Sequence, residues 1–279
     1  MDVRGFLDVI SAPRELPGDY YDAEGFLCCG KCRTRKQVDI PCSEAVREGG
    51  IWRVPIPCRC EEEEEERFRA AESREKEEKL RQNLLAESGL SPDACLANDN
   101  EPDSKASKLC RKYCAKLEDA FAAGIGILFY GGVGTGKSYY AQCVGNEAVR
   151  LYKRVLFVST SNITSMGADA QSAFFDRLSA ADLLILDDLG AQRGTSYGNE
   201  ALYNTVNNWY KTGKPLIATT NLDLSEIKDE QDITYKRIYD RLLEMCPMRI
   251  LVDGASKREQ IARKKREAAK RMFFGEVDG

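Results

Sequence analysis

Four glycines within six residues, set between an apolar run and a helix-forming run, constrain this chain more than any other feature. Gly131, Gly132, Val133, Gly134, Thr135, Gly136, Lys137 and Ser138 carry the spacing G-x-x-x-x-G-K-[ST]. Upstream, Ile125, Ile127, Leu128 and Phe129 form a short run of buried-strand type, and Ser138 to Leu151 reads as a helix. The glycines let several backbone N–H groups converge on one anion and remove the β-carbons that would hold it away. Lys137 adds a point charge for terminal phosphates. Ser138, at the helix mouth, is placed to ligate Mg²⁺ where the helix dipole is positive, and Tyr139 is the next residue of the cradle. These residues predict a site for ATP or GTP.

A phosphate cradle needs a metal-holding carboxylate on a neighbouring strand. Asp182, Leu183, Leu184, Ile185, Leu186, Asp187 and Asp188 supply an apolar run that ends in two acids. Such a strand is buried on both faces, so its last carboxylates emerge at the sheet edge where ligands bind. Asp187 is assigned to the Mg²⁺ shell. Asp188 is the candidate to orient the attacking water, because the chain has no histidine to do so. A third strand, Pro215 to Thr219, runs into Thr220, Asn221 and Leu222, and Asn221 could hydrogen-bond the γ-phosphate or the water. With Val155 to Val158 as a further strand, the alternation calls for an α/β fold with a parallel central sheet flanked by helices.

Gly-Thr-Gly-Lys-Ser, Leu-Leu-Ile-Leu-Asp-Asp-Leu-Gly, Lys-Pro-Leu-Ile-Ala-Thr-Thr-Asn-Leu and Arg-Ile-Tyr-Asp-Arg-Leu occur in this order. Together they resemble the AAA+ P-loop ATPases of the DnaC/DnaI helicase-loader and IstB group, and the phage-encoded DnaC-like branch above all. The resemblance covers about residues 108 to 260. It implies that Asn221 is sensor 1, Arg241 the arginine finger and Arg258 the sensor 2 arginine. On a helix Arg237 and Arg241 share one face beside an apolar stripe of Ile238, Leu242 and Met245. Either could bridge to a neighbouring subunit, or both could pair with Asp240 and Glu244 at the surface. A guanidinium suits the charge that develops on a transferring phosphoryl group, so an isolated subunit is expected to bind ATP but turn over slowly. Some relatives carry an arginine near the end of the helix before the sensor 1 strand. This chain has Asn208, Trp209 and Tyr210 there, and no intersubunit role is assigned to them.

Eleven cysteines point to metal or buried thiols, and six of them fall between residues 28 and 60. Cys29 and Cys32 flank a Cys-Gly-Lys-Cys knuckle, and Cys58 and Cys60 close the set. Two close pairs joined by a loop can surround Zn²⁺, and without histidine the site must be all cysteine. Cys28 and Cys42 remain alternative ligands. Four protein ligands leave no open position, so the domain is expected to be structural. Some DnaI-type loaders carry an N-terminal zinc domain that contacts the replicative helicase, which the resemblance extends to residues 1–60.

Residues 61–107 change character. Glu61 to about Glu87 reads as an exposed charged helix, with Glu72 and Lys76, Glu75 and Lys79, and Glu77 and Arg81 at helical spacing and only Phe68, Leu80, Leu84 and Leu85 as contacts. Gly89 to Ser107, with Pro92, Asn98, Asp99, Asn100 and Pro102, reads as a flexible linker. Residues 108–279 are then the ATPase domain with a basic C-terminal tail.

The 279 residues suffice for one α/β core and a small extra module, and a net charge of −4 argues neither for nor against nucleic acid. Distribution says more: from Lys257 to Arg271 eight basic residues stand against Glu259 and Glu267. That stretch is either a helix for DNA backbone or a solvated extension. Between Asn162 and Leu178, Ile163, Met166, Phe174 and Phe175 either face single-stranded DNA or belong to the core. No apolar stretch approaches a membrane span, and Asp2, Arg4 and Asp8 break any signal-peptide core, so a cytoplasmic protein is expected.

The resemblance implies an ATP-dependent loader of a replicative DNA helicase, with ATP, Mg²⁺ and Zn²⁺ as cofactors, single-stranded DNA as a partner and a homo-oligomer when ATP is bound. Two alternatives are an IstB-like transposition helper and a P-loop small-molecule kinase.

Overall fold

The computed structural model describes residues 14–43, 50–190, 196–254 and 256–274. The chain divides into two compact units, Met1–Glu78 and Lys79–Gly279. In the first, β1 (Tyr20–Tyr21) pairs antiparallel with β2 (Leu27–Cys28), and β3 (Gln37–Pro41) with β4 (Ile51–Pro55). The long helix α1 (Arg59–Ser88) follows.

Helix α1 has almost no apolar stripe and is exposed along most of its length. Local ion pairs at i,i+4 spacing support it, Glu72 reaching Lys76 at 2.8 Å and Arg59 reaching Glu63 at 3.0 Å. The division between units falls inside this helix, between Glu78 and Lys79, not at its ends.

The second unit places α2 (Lys105–Cys114) and α3 (Leu117–Ala122) ahead of an alternating series. That series is β5 (Ile127–Tyr130), α4 (Lys137–Arg150), β6 (Val155–Ser159), α5 (Thr160–Thr164), α6 (Ala168–Ala180), β7 (Leu183–Leu189) and α7 (Ser196–Tyr210). It continues with β8 (Leu216–Thr220), α8 (Leu224–Lys228), α9 (Ile233–Met245), β9 (Met248–Leu251) and α10 (Lys257–Phe274). The five strands form one parallel sheet in the order β6-β7-β8-β5-β9.

Side chains alternate across a strand, so each strand feeds two cores. Leu184, Leu186, Leu216 and Ala218 pack with α6, α7 and α9 around Trp209 and Leu242. Leu183, Ile185, Ile217 and Phe129 pack on the other face with α2, α3 and α4. Ile163 and Phe174 are buried in the first core, with Met166 and Phe175 packed against it, so these four side chains serve the interior.

The expectation of a flexible linker at Gly89–Ser107 is corrected. Leu90 joins the second core, Ser91 N–H donates to Gln142 Oε1 at 2.9 Å, and Asn146 Nδ2 donates to the Ser91 and Ala94 carbonyls. Side chains of α4 thus satisfy the backbone of a segment too short in periodic residues to satisfy itself. Its prolines and asparagines mark turns, which sequence alone does not separate from mobility.

Candidate nucleotide and metal sites

β5 ends at Tyr130 and α4 begins at Lys137, so the glycine run is the whole connection. Gly134 has φ +78°, a left-handed conformation that glycine adopts without strain, and a β-carbon there would meet Ser256 Oγ. At Gly131 a β-carbon would lie 2.5 Å from the Val252 carbonyl, so β9 leaves the sheet tight against the loop. Lys137 is buried, and its Nζ donates to the Gly131 carbonyl at 3.0 Å and the Gly132 carbonyl at 2.6 Å. The Thr135 hydroxyl donates to the Gly132 carbonyl at 3.0 Å.

β7 delivers the acids through an irregularity. Its register with β8 slips between Leu186 and Leu189, and Asp188 in the slip has φ +56°. A bulge re-aims side chains, and three threonine hydroxyls hold this strained residue and its successor. Asp188 N–H donates to Thr219 Oγ1 at 2.9 Å, Thr160 Oγ1 donates to the Asp188 carbonyl at 2.8 Å, and Thr220 Oγ1 donates to the Leu189 carbonyl at 2.7 Å.

Asp188 lines a cavity of about 460 Å³ with Val133, Gly134, Gly136, Lys137, Ser138 and Tyr139 of the loop and its helix. Asn221 at the end of β8 and Arg258 in the first turn of α10 complete the polar wall. Asp187 lies one residue to the side, its Oδ1 accepting a 2.7 Å bond from Thr219 Oγ1. Burial lowers the Lys137 pKa, while Asp188 and Asp187 pull it back up. Burial followed by the charge of Asp187 raises the Asp188 pKa, opposed by Lys137 and Arg258. Two carboxylates and a buried cation thus come together at the place where phosphates and a divalent ion would meet.

The opposite wall was missed by sequence reasoning. Asn98, Asp99, Asn100 and Glu101 line the cavity from the segment read as a linker. Tyr139 and Tyr140 hold it there: Tyr139 O–H donates to the Cys95 carbonyl at 2.6 Å and Tyr140 O–H to Asp99 Oδ2 at 3.0 Å. The legible signal was the adjacent tyrosine pair one turn into the cradle helix.

Arg237 and Arg241 do not line this cavity. The Arg241 guanidinium lies 5.0 Å from the Tyr203 ring centre and 5.7 Å from that of Tyr210, while Glu244 accepts from the Tyr210 hydroxyl. Arg237 lines a separate cleft of about 520 Å³ with Tyr203 and Asp232.

The cysteine site forms as spaced. The ligand atoms of Cys29, Cys32, Cys58 and Cys60 all lie within 4.8 Å of one another, with Cys60 Sγ 3.4 Å from those of Cys29 and Cys58. That set can hold a metal ion. Cys28 Sγ turns instead toward Asp22 and the Phe26 carbonyl, and Cys42 lies outside the cluster. Hydrogen bonds from Thr34 pull the Cys32 thiol down to about 5, and backbone N–H groups of Cys32 and Lys31 lower Cys29. Burial pushes Cys58 up. Lys36 braces the knuckle to α1 by reaching Asp19 at 2.9 Å and Glu61 at 3.4 Å.

An Asn-ended strand between the loop-bearing strand and the acid-ended strand, with an arginine entering the cavity from beyond the last strand, defines an AAA+ P-loop ATPase. Residues 71–268 match the profile of the IstB-like ATP binding proteins, and the chain belongs to that family. It is 32% identical over 109 residues to the chromosomal replication initiator protein DnaA of Microcystis aeruginosa, covering 37% of this chain and 24% of that one. The DnaA of Treponema denticola is 31% identical over 108 residues, with 37% and 23% covered. The chain therefore spans about a quarter of the length of these relatives. Among solved structures, DnaI superposes with a TM-score of 0.50 at 18% identity, covering 59% of this chain and 90% of that one. The DnaC helicase loader gives 0.48 at 21% identity, with 58% and 98% covered. At 18% identity the likeness to DnaI is one of fold. No helix among the described residues is long and apolar enough to cross a membrane.

Proposed function

We propose that this ATPase is a loader that places a replicative DNA helicase on DNA in the cytoplasm, as in the phage-encoded DnaC-like branch its sequence resembles. The observation that carries the reading is the four-thiol cluster in a compact unit of its own, Met1–Glu78, additional to the nucleotide-binding unit. Four thiolates on Zn²⁺ leave no position for chemistry, so such a unit suits contact with a partner. In this reading the helicase docks on the zinc unit.

Ser138 and Asp187 would hold Mg²⁺, which supplies charge neutralisation at the β- and γ-phosphates. Lys137 and the loop N–H groups grip the same phosphates. Asp188 orients and deprotonates the attacking water, Asn221 hydrogen-bonds the γ-phosphate or that water, and Arg258 senses the nucleotide from α10. Arg241 serves the nucleotide of a neighbouring copy in an ATP-bound homo-oligomer. Its absence from its own chain's cavity supports that role. The exposed basic side chains of α10 hold single-stranded DNA.

The test is metal analysis of the full chain with co-purification against the host replicative helicase. About one zinc per chain and capture of the helicase, lost on Cys58→Ser, are expected. A metal-free chain that ignores the helicase overturns the reading. The family match favours one second reading, an IstB-like transposition helper, which capture of a transposase without helicase would establish. It leaves a small-molecule kinase without support.

A further inference from the structure

We infer that Thr219 is a positioning residue for hydrolysis, orienting the metal-holding carboxylate from the strand that carries Asn221. The inference rests on the assignment of Asp187 to Mg²⁺ above.

The side chain has no exposed surface, and its hydroxyl makes two bonds in opposite senses. It accepts from the Asp188 N–H at 2.9 Å and donates to Asp187 Oδ1 at 2.7 Å. The first bond answers a need created by the bulge: the slip between Leu186 and Leu189 takes the Asp188 N–H out of the ladder, and a buried donor without a partner is costly. The second follows from the first. A hydroxyl has one proton to give, and with its acceptor side turned to Asp188 that proton points at Asp187.

Donation to one carboxylate oxygen fixes the rotation of the group and leaves the other oxygen for the ion. An outer partner of this kind sets the direction and basicity of a metal ligand. Valine has the shape of threonine without the hydroxyl, and serine keeps the hydroxyl without the methyl. Thr220, the next residue, is the internal comparison. It is equally buried, donates to the Leu189 carbonyl at 2.7 Å and accepts from Leu222 N–H at 3.1 Å, and so braces the same turn without touching an acid side chain.

The experiment measures ATP turnover by the full-length chain against Mg²⁺ concentration for wild type, Thr219→Val, Thr219→Ser and Thr220→Val. Nucleotide affinity is measured in parallel without metal. Thr219→Val should need about 10- to 100-fold more Mg²⁺ for half-maximal turnover, or lose turnover by that factor, with metal-free affinity unchanged. Thr219→Ser should restore wild-type behaviour, and Thr220→Val should leave the Mg²⁺ requirement in place. If Thr219→Val lacks a cooperative thermal transition, Thr219→Ala takes its place in the same comparison. Wild-type Mg²⁺ dependence in the folded hydroxyl-free variant overturns the inference, as does an equal shift in Thr220→Val. A wild-type chain with no Mg²⁺-dependent turnover instead overturns the assignment of Asp187 on which the inference rests.

Discussion

The Tyr140 hydroxyl donates to Asp99 Oδ2 across 3.0 Å, joining the helix that opens the phosphate cradle to a stretch of chain 41 residues earlier. The contact makes the segment before α2 a wall of the nucleotide cavity.

Tyr140→Phe should lower the stability of the ATPase unit by about 1.5–3 kcal/mol, the range for a hydrogen bond to a charged group. Because Asn98 to Glu101 line the cavity, nucleotide affinity should fall as well. Thermal unfolding with and without nucleotide checks both, and an unchanged ligand-induced shift would separate the segment from binding.

Lys137→Ala removes the buried ammonium of the cradle and should abolish ATP binding, whereas Asp188→Asn should keep Mg-ATP and lose turnover by about 10²- to 10⁴-fold, the range for a positioned proton acceptor. A fluorescent ATP analogue and a phosphate-release assay separate the two. Normal affinity in Lys137→Ala would undo the cradle assignment.

The pH profile follows from the raised Asp188 pKa. Asp188 accepts a proton only when ionised, so turnover should rise with pH through a point above the ordinary aspartate value. Arg258 is one of two cations that hold this pKa down. Arg258→Gln should therefore move the acid limb to higher pH, and a shift to lower pH would contradict the arrangement.

Arg241→Ala should bind ATP normally and turn it over about three to five powers of ten more slowly, the value of such an arginine in other nucleotide hydrolases. Mixed with Lys137→Ala subunits, which bring an intact arginine but no cradle, it should regain part of its turnover. No recovery, with assembly verified by light scattering, would confine the residue to its stack on Tyr203 and Tyr210.

Removing metal should unfold the four-cysteine unit while sparing the parallel sheet, since the cluster belongs to Met1–Glu78 and the nucleotide cavity to the other unit. Chelation followed by circular dichroism and nucleotide titration tests this. Loss of ATP binding on chelation would contradict the separation.

Most of the cradle was legible because its chemistry leaves little choice of residue. Glycine is needed where φ is positive or backbones touch, lysine where phosphates gather, and acids where an apolar strand surfaces. Four strands stood out for the same reason, as apolar runs with polar ends. β9 escaped because its buried Ile250 is flanked by the exposed Arg249 and Leu251. The wall Asn98–Glu101 escaped because its order comes from side chains of α4, a tertiary debt that local pattern does not register. Thr219 and Thr220 read as ordinary strand residues until the bulge opposite gave their hydroxyls work.

Helix α10 runs 18 residues from the cavity edge, a rod of about 27 Å at the usual rise per residue. Its root carries Arg258 and its far end the exposed Met272 and Phe273. One continuous helix thus ties the rim of the cavity to an exposed apolar tip.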